Sequence, residues 1–277
     1  MAASIQHGVA AQRLAVARWD KAAGERLPPD CRPGNIEDAL EIQRLVRLLV
    51  DEPVGAWKCS LSGPVVFAAP IYAPDIFTGS PCPVIAEGGF VQMEPEIAFV
   101  LGRDLPPRDS PNSESEIDAA INETRLVLEL VGGHFAEPDE LSFPELLADH
   151  LSNQGLVVGP VVSASPFQIA GAISISVESS GVTVIKRDGR HPWGHPIRAF
   201  RALVQALAKR GEYLNKGQVF ITGSYAGVLK VSIAESMQVR FGDIGVMDVE
   251  FCSGDPGMTK LGARHKSWDQ AARRSTQ

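Results

Sequence analysis

The sequence of this 277-residue chain predicts an α+β fold. Apolar residues recur at helical spacing near the N-terminus, whereas short strand-like runs separated by Gly, Pro and Asp begin at Val54. The later helices interrupt these strands without the regular βαβ alternation of a doubly wound or TIM-barrel fold. We therefore expect an N-terminal helical region at residues 1–53 and a β-rich domain at residues 54–277.

Two amphipathic helices are expected in the N-terminal region, over residues 3–24 and 36–50. Asn35 precedes the second helix, where its side chain can accept hydrogen bonds from the free N–H groups of the first turn. Acidic residues lie in that first turn and Arg47 lies near the end, which matches the helix dipole.

The β-rich part contains seven runs with strand character, bounded by turn residues. They are residues 54–60, 97–102, 155–162, 172–178, 218–223, 237–241 and 244–251. Gly242-Asp243 predicts a tight hairpin between the last two runs. The residues after Gly254 are expected to form a solvated tail.

Three helices are expected between these strands. Ser113 and Glu116 have the spacing of a capping box, which predicts the start of the first helix. Ser142 precedes the second helix, with Pro144 at its first position, where a missing N–H is tolerated. The third helix is expected over Pro196–Arg210, where apolar residues form one face.

Two glutamates at alternate positions of an expected strand, Gln92–Leu101, are the main candidate for a functional site. Residues i and i+2 of a strand point to the same side, so Glu94 and Glu96 should share one face. Paired carboxylates require either solvent or a bound cation between them. Oxygen ligands favour a hard ion such as Mg²⁺ or Mn²⁺, and the alternative is an ordinary solvated strand face.

The composition limits the class of partner. A net charge of −7 argues against nucleic acid or an anionic membrane surface as the main partner, and leaves a small-molecule substrate. No apolar run approaches the roughly 20 residues that span a bilayer. The four cysteines are scattered, which predicts reduced thiols and a cytoplasmic location.

Five short segments of the sequence are distinctive when they are taken together and in order. They are Asp38–Gln43, Glu94–Gly102, Leu128–Val131, Gly194–Ile197 and Phe220–Ser224. Together they resemble the fumarylacetoacetate hydrolase superfamily. Within it they resemble the branch of 2-oxopent-4-enoate (2-hydroxypenta-2,4-dienoate) hydratases and 2-oxo-3-hexenedioate decarboxylases. The similarity extends from about Asp38 to Phe251, which is most of the chain.

This resemblance implies a mixed β-roll core with a small helical N-terminal region, a homo-oligomer, and a Mg²⁺ or Mn²⁺ ion bound by Glu94, Glu96 and Glu129. Such a ligand set leaves about three positions of an octahedral ion for water and substrate. A 2-oxo or 2-enol carboxylate presents two oxygens that can chelate the ion. Glu129 stands where β-diketone hydrolases typically have Asp, which favours the hydratase and decarboxylase branch.

The resemblance also implies roles for two catalytic candidates. Lys58 follows an apolar strand and matches a lysine of the family; next to a cation its pKa should fall, which would suit proton transfer. The alternative is a solvated lysine at the end of a strand. Asp75 lies near the acidic residue of the family's active-site loop, and it is otherwise an Asp in a proline-containing turn.

Two further positions complete the expected site. The turn Thr222-Gly223-Ser224 follows a strand and could offer hydroxyl and N–H groups to a substrate carboxylate, or could simply end the strand. Asp149 lies where the family carries Asp-Asn, and it is expected to support the site from behind the ligands.

We therefore predict a metal-dependent lyase that adds water to a 2-hydroxy-2,4-dienoate from aromatic-compound catabolism. The closest alternative is decarboxylation of a 2-oxo-3-hexenedioate, which requires a further cation for the second carboxylate. A β-diketone hydrolase and a catalytically silent family member are weaker alternatives. Departures from the family pattern at Cys59-Ser60, His134 and His150 leave the exact substrate open.

Overall fold

The computed structural model describes residues 2–62, 65–108, 110–135 and 140–254. In these ranges five helices are found: α1 Ala2–Asp20, α2 Ile36–Val50, α3 Glu114–Asp118, α4 Phe143–Ala148 and α5 Pro196–Lys209. The predicted α+β class is confirmed. The predicted tail after Gly254 lies outside the described residues.

The described strands number fourteen, and most are short. They are β1 Val54–Ser62, β2 Val65–Tyr72, β3 Ile76–Phe77, β4 Cys82–Val84, β5 Phe90–Leu101, β6 Ile121–Val131, β7 Asn153–Val161, β8 Ala172–Ser179, β9 Val182–Arg190, β10 Val219–Ile221, β11 Leu229–Ser232, β12 Met237–Phe241, β13 Gly245–Val249 and β14 Phe251–Ser253.

The largest sheet in the described ranges has eight strands in the order β2-β1-β10-β5-β6-β7-β3, with β11 also pairing with β5. Its pairing is mixed, because β1 and β10 run parallel whereas β10, β5 and β6 alternate in direction. A four-stranded sheet, β13-β12-β8-β9, and a two-stranded sheet, β14-β4, complete the β structure.

One strand of the large sheet, β5, changes partner along one edge. Its first part, residues 90–93, pairs with β11, and residues 98–100 pair with β10. Residues 94–97 lie between these two pairings, opposite the connection 222–228 between β10 and β11. The edge of β5 is therefore interrupted where the chain carries Glu94 and Glu96.

The core follows the two faces of the large sheet. Ile97, Phe99 and Leu101 of β5 lie in one cluster with residues of the four-stranded sheet and of α5, whereas Ala98 lies in a separate cluster on the other face. This alternation agrees with the predicted faces of the strand. Each fully buried aromatic or aliphatic side chain contributes roughly 1.5–3 kcal/mol, so this alternation fixes the register of β5 strongly.

The N-terminal helices pack on the β part through a second apolar cluster, which includes residues of α1, α2, α4 and β2. Asn35 caps α2 as predicted, because its side chain accepts a hydrogen bond from the Asp38 N–H at 2.9 Å. None of the helices in the described part of the chain is long and apolar enough to span a membrane.

Some element boundaries differ from the predictions. The predicted strand 244–251 divides into β13 and β14, because β13 pairs with β12 whereas β14 pairs with β4. Pro144 is the second residue of α4, which begins at Phe143 after the Ser142 cap. The boundary between residues 53 and 54 coincides with the start of β1; the division into two domains stays a prediction.

Candidate functional site

Three carboxylates meet on neighbouring strands of the large sheet. The antiparallel register of β5 and β6 places Glu94 directly opposite Glu129, and Glu96 follows two residues further on the same face of β5. One carboxylate oxygen of each residue lies within 4.8 Å of the others. Glu129 lies 33 positions after Glu96 in the sequence. The fold thus brings Glu129 to Glu94 and Glu96, in the cluster that the resemblance implied.

The glycine turn after β10 is fitted to this cluster. The Gly223 N–H donates a hydrogen bond to Glu96 Oε2 at 2.5 Å. Gly223 has φ +112°, and a Cβ atom there would lie 2.9 Å from Pro192 Cγ. Any other residue would strain this backbone and displace Pro192, so glycine is required for the contact with Glu96.

Lys58 faces the carboxylates from β1 and is 7% exposed. Its Nζ donates to Glu129 Oε1 and, at 2.9 Å, to the Leu151 carbonyl. Burial opposes the charged form, but the neighbouring carboxylates of Glu129, Glu94 and Glu96 outweigh it, so the pKa of Lys58 rises. The lowered pKa that we expected for Lys58 beside a bound cation stays a prediction.

The carboxylates carry more negative charge than Lys58 can balance. Burial, followed by repulsion from Glu129, raises the pKa of Glu94 to about 7. Burial and the two neighbouring carboxylates raise the pKa of Glu96 well above its ordinary value. Buried, crowded carboxylate oxygens with one compensating cation fit a hard divalent ion such as Mg²⁺ or Mn²⁺. Glu94, Glu96 and Glu129 are the residues that could hold it.

The carboxylates line a cavity of about 430 Å³ together with Lys58. The lining also includes apolar residues, namely Phe143, Leu146, Leu151, Pro192 and Trp193. Among the described residues that line the cavity, Lys58 is the only cation.

Cys59 also lines the cavity, next to Lys58. Burial, and secondarily the charge of Glu96, raises the pKa of the Cys59 thiol. The raised pKa disfavours the thiolate, so Cys59 is a poor nucleophile.

The predicted substrate-binding turn lines the cavity, but a donor of each of its three residues is used within the protein. The Thr222 hydroxyl donates to the Ile97 carbonyl at 2.7 Å, and the Gly223 N–H binds Glu96 as described. Ser224 is half-buried, and its hydroxyl can donate to the Gly227 carbonyl at 3.1 Å or to the Pro95 carbonyl at 3.3 Å. Substrate binding by these three residues stays a prediction.

The two predicted aspartates lie outside the cavity lining. Asp149 is fully buried and binds Arg18 and His134, so it supports the turn that leads into β7. Asp75 forms an ion pair with Lys21 of the segment after α1. The supporting role of Asp149 agrees with this geometry, whereas a catalytic role of Asp75 stays a prediction that the cavity lining does not support.

Sequence reasoning missed two residues near the site. Asn153 Nδ2 donates to Glu129 Oε1 at 3.0 Å, and Arg18 reaches the same segment from α1. No local motif marks either residue, since both act across long distances in the sequence. His195 caps α5, because its Nδ1 accepts a hydrogen bond from the Ile197 N–H.

Comparison with known protein families identifies the family of this chain. The family described as "Fumarylacetoacetate (FAA) hydrolase C-terminal" matches residues 56–264, which is most of the chain. The chain belongs to the fumarylacetoacetate hydrolase family. The matched range contains the three carboxylates and Lys58, and the suspected resemblance is thereby confirmed.

Among its curated relatives is the 2-keto-4-pentenoate hydratase of Paraburkholderia xenovorans (strain LB400), which is 24% identical over 160 residues. That alignment covers 58% of this chain and 58% of the relative. A 4-oxalocrotonate decarboxylase of Pseudomonas sp is 26% identical over 164 residues, which cover 56% of this chain and 61% of the relative. The aligned part therefore spans less than two thirds of the length of these relatives.

A solved structure extends the similarity to the fold of nearly the whole chain. The 4-oxalocrotonate decarboxylase from Pseudomonas putida G7, complexed with magnesium and adipate, has a TM-score of 0.72 at 17% identity. The match covers 90% of this chain and 98% of that protein. It confirms the expected fumarylacetoacetate hydrolase-like core with small N-terminal helices.

Proposed function

We propose that this chain is a divalent-metal-dependent hydratase, a lyase. It adds water to a 2-hydroxy-2,4-dienoate of the 2-oxopent-4-enoate type and yields a 4-hydroxy-2-oxo acid in aromatic-compound catabolism. The observation that carries the proposal is the composition of the cavity lining, which combines three clustered carboxylates and one lysine with several apolar side chains.

Glu94, Glu96 and Glu129 would hold Mg²⁺ or Mn²⁺. The metal would supply Lewis acidity toward the oxygens of the 2-enol or 2-oxo carboxylate. Gly223 orients Glu96 through its N–H, and Asn153 orients Glu129 through its side-chain amide. Such bonds to ligating carboxylates fix their direction before the substrate arrives.

Lys58 is the proposed proton-transfer or carboxylate-binding group. Its ammonium has three donors, of which one binds Glu129 and one binds the Leu151 carbonyl, so one remains for the substrate. Hydration of the dienoate moves protons onto its carbon chain while a hydroxyl group adds at C4. A lysine fixed beside the enol end can hold or transfer one of these protons.

The scarcity of cations in the cavity lining favours a hydratase over a decarboxylase. A dicarboxylate such as 4-oxalocrotonate needs a cation for its second carboxylate, and Lys58 is the only cation among the described lining residues. A dienoate with a hydrocarbon end suits the apolar part of the lining, which includes Phe143, Leu146 and Trp193. The decarboxylase remains the second candidate, because a decarboxylase is among the relatives at a similar identity.

The proposal also covers the metal, the oligomeric state and the location of the protein. The preference for Mg²⁺ or Mn²⁺ draws support from the oxygen-only donor set. Assembly as a homo-oligomer draws support from the resemblance alone. A cytoplasmic location draws support from the scattered, unpaired cysteines, none of which forms a disulfide within the described residues.

The test is a substrate panel with the purified protein and Mg²⁺. The panel contains 2-hydroxypenta-2,4-dienoate and 2-oxo-3-hexenedioate, turnover is followed by loss of ultraviolet absorbance, and the product mass distinguishes gain of water from loss of CO₂. We expect the dienoate to gain one water. Lys58→Met should lower kcat by at least about a hundredfold. Lys209→Met, an exposed lysine of α5, is the matched control and should leave kcat unchanged.

Faster loss of CO₂ from the dicarboxylate would replace the hydratase with the decarboxylase. If neither compound is consumed although Mg²⁺ binds, both activities are excluded and the metal site alone stands. An unchanged rate in Lys58→Met would remove Lys58 from the mechanism.

A further inference from the structure

The turn between α4 and β7 has an unusual backbone. His150, Leu151 and Ser152 have φ values of 52°, 57° and 57°, so three consecutive residues with side chains occupy the left-handed region. Residues other than glycine adopt this conformation mostly one at a time. Contacts from outside the turn must therefore hold it in place.

This turn contacts both Lys58 and the metal-binding candidate Glu129. The Leu151 carbonyl accepts a hydrogen bond from Lys58 Nζ at 2.9 Å. The Asn153 side-chain amide donates to Glu129 Oε1 at 3.0 Å. Leu151 and Ser152 also line the cavity. A shift of the turn would consequently move the lysine and one metal carboxylate together.

Arg18 of α1 holds the turn at both ends. Its guanidinium donates to the Asp149 carbonyl and to Asp149 Oδ1, each at 3.1 Å, and to the Asn153 carbonyl at 3.4 Å. Arg18 is 5% exposed, so little solvent competes for these bonds. The planar guanidinium can span two acceptors in fixed directions, which the single ammonium of a lysine cannot do.

Asp149 anchors the same end of the turn from the opposite side. Its carboxylate accepts from the His134 N–H and contacts His134 Nδ1, both at 2.8 Å. The Asp149 carbonyl also accepts from the Ser152 N–H, which closes the turn. Arg18 therefore joins a fixed point, Asp149, to the residue that orients Glu129.

We propose that Arg18 is a positioning residue for the active site. It fixes the 149–153 turn, and through Leu151 and Asn153 it sets the positions of Lys58 and Glu129. The N-terminal helix α1 is then a part of the catalytic apparatus. The inference rests on the site of the proposed function, but it does not depend on which reaction that site performs.

The test compares Arg18→Met with Arg18→Lys. We measure kcat and KM on the substrate that the panel identifies, Mg²⁺ affinity by titration calorimetry, and hydrogen exchange of the backbone at 149–153. Arg18→Met should lower kcat about 10- to 100-fold and weaken Mg²⁺ binding about tenfold, as supporting residues of metal sites do. KM should change less than about threefold, and exchange should accelerate at 149–153 but not in β5. Arg18→Lys should restore part of kcat.

Two further variants keep the outcome decisive. Arg18→Met combined with Asp149→Asn removes both buried charges, so no unpaired charge remains to prevent folding. Its kcat should remain low, because the hydrogen bonds of Arg18 to the turn are still absent. Arg44→Met removes another ion pair of the helical region, the exposed one with Glu41 on α2. It should leave kcat and Mg²⁺ affinity unchanged.

A wild-type kcat in the folded double variant, or an equal loss in Arg44→Met, would overturn the proposal. If the wild-type protein turns over no substrate of the panel, Mg²⁺ affinity and hydrogen exchange still decide the role of Arg18. In that case the proposed function fails by itself, and unchanged values of both measurements in Arg18→Met would remove the positioning role as well.

Discussion

Two buried groups of charged side chains lie near each other in this protein and differ in their charge balance. In the acidic cluster, three glutamates lie near one cation among the residues that the structure describes, which is Lys58. In the group around Asp149, one carboxylate faces the guanidinium of Arg18 and the ring of His134. Both groups join residues remote in sequence; the Asp149 group is buried, whereas Glu94 of the acidic cluster is only half-buried.

The pKa shifts express the difference. Burial and mutual repulsion raise the pKa of Glu94 and of Glu96, which marks an incomplete site. Burial also acts on Asp149, but the His134 and Arg18 contacts outweigh it and lower the pKa of this carboxyl. Burial lowers the pKa of His134, and Arg18 supplies a permanent charge against Asp149. An unbalanced group calls for a ligand, and a balanced group supports structure.

The largest effect is expected for Glu96→Gln, which removes one charge from the unbalanced cluster. Turnover should fall at least about a thousandfold, because the metal loses a charged ligand, and Mg²⁺ should no longer raise the melting temperature. The free energy of unfolding without metal should stay the same or rise at about pH 8. Its raised pKa means that ionised Glu96 destabilises the metal-free fold there.

Thermal unfolding with and without Mg²⁺, together with the steady-state rate, checks this prediction. Gln205→Glu on α5 is a control in which a carboxylate is added outside the cavity. Normal turnover in Glu96→Gln, or a Mg²⁺-dependent shift equal to that of the wild type, would contradict the metal site.

The balanced group should respond in the opposite way to loss of charge. Asp149→Asn leaves the Arg18 guanidinium buried without its counter-charge, so the free energy of unfolding should fall by about 3 kcal/mol. Urea unfolding of the metal-free protein measures this loss. A stability equal to that of the wild type would show that the two groups do not differ as proposed.

A smaller effect is expected at a third carboxylate, Glu145 of α4, which the Arg26 side chain binds at 2.8 Å. That hydrogen bond, with help from Ser142 and against burial, lowers the pKa of Glu145 to about 2 from an ordinary value of 4.5. The folded protein therefore binds fewer protons at this carboxyl than the unfolded chain between these values. The stabilisation is complete above about pH 4.5 and is lost as the pH falls toward about 2.

Glu145→Gln measures that stabilisation. Relative to wild type it should lose about 1–2 kcal/mol of unfolding free energy at about pH 7, because a charge-assisted hydrogen bond is lost. The difference should shrink to about half or less near pH 3. Urea unfolding at the two pH values tests this, and a difference that is independent of pH would assign the loss to packing instead.

The sequence predicted much of this arrangement where local patterns are strong. The alternation in β5 placed Glu94 and Glu96 on one face, and the cap of α2 was evident from Asn35. The strand β6, which carries Glu129, was not predicted as an element. Its second half is apolar except for Glu129 and is buried on both faces, so it has no periodicity that distinguishes a strand from a helix.

Arg18 and Asn153, which support the site, could not be predicted from the sequence for a different reason. Arg18 and Asn153 are 135 positions apart, and their contact depends on how α1 packs against the turn before β7. A sequence shows residue types but not the direction of a side chain across an interface. The same limit applies to Asp75, whose carboxylate forms an ion pair with Lys21 rather than entering the cavity lining.

The interrupted edge of β5 has a consequence for how such proteins can change. Strand β11 holds one flank of the interruption and β10 holds the other, so the two registers are fixed independently of the connection 222–228. Within this connection Tyr225 is buried and donates its N–H to the Pro95 carbonyl of β5, whereas Gly227 and Val228 are exposed. Evolution can therefore vary the exposed end of the connection while the sheet beneath it stays intact.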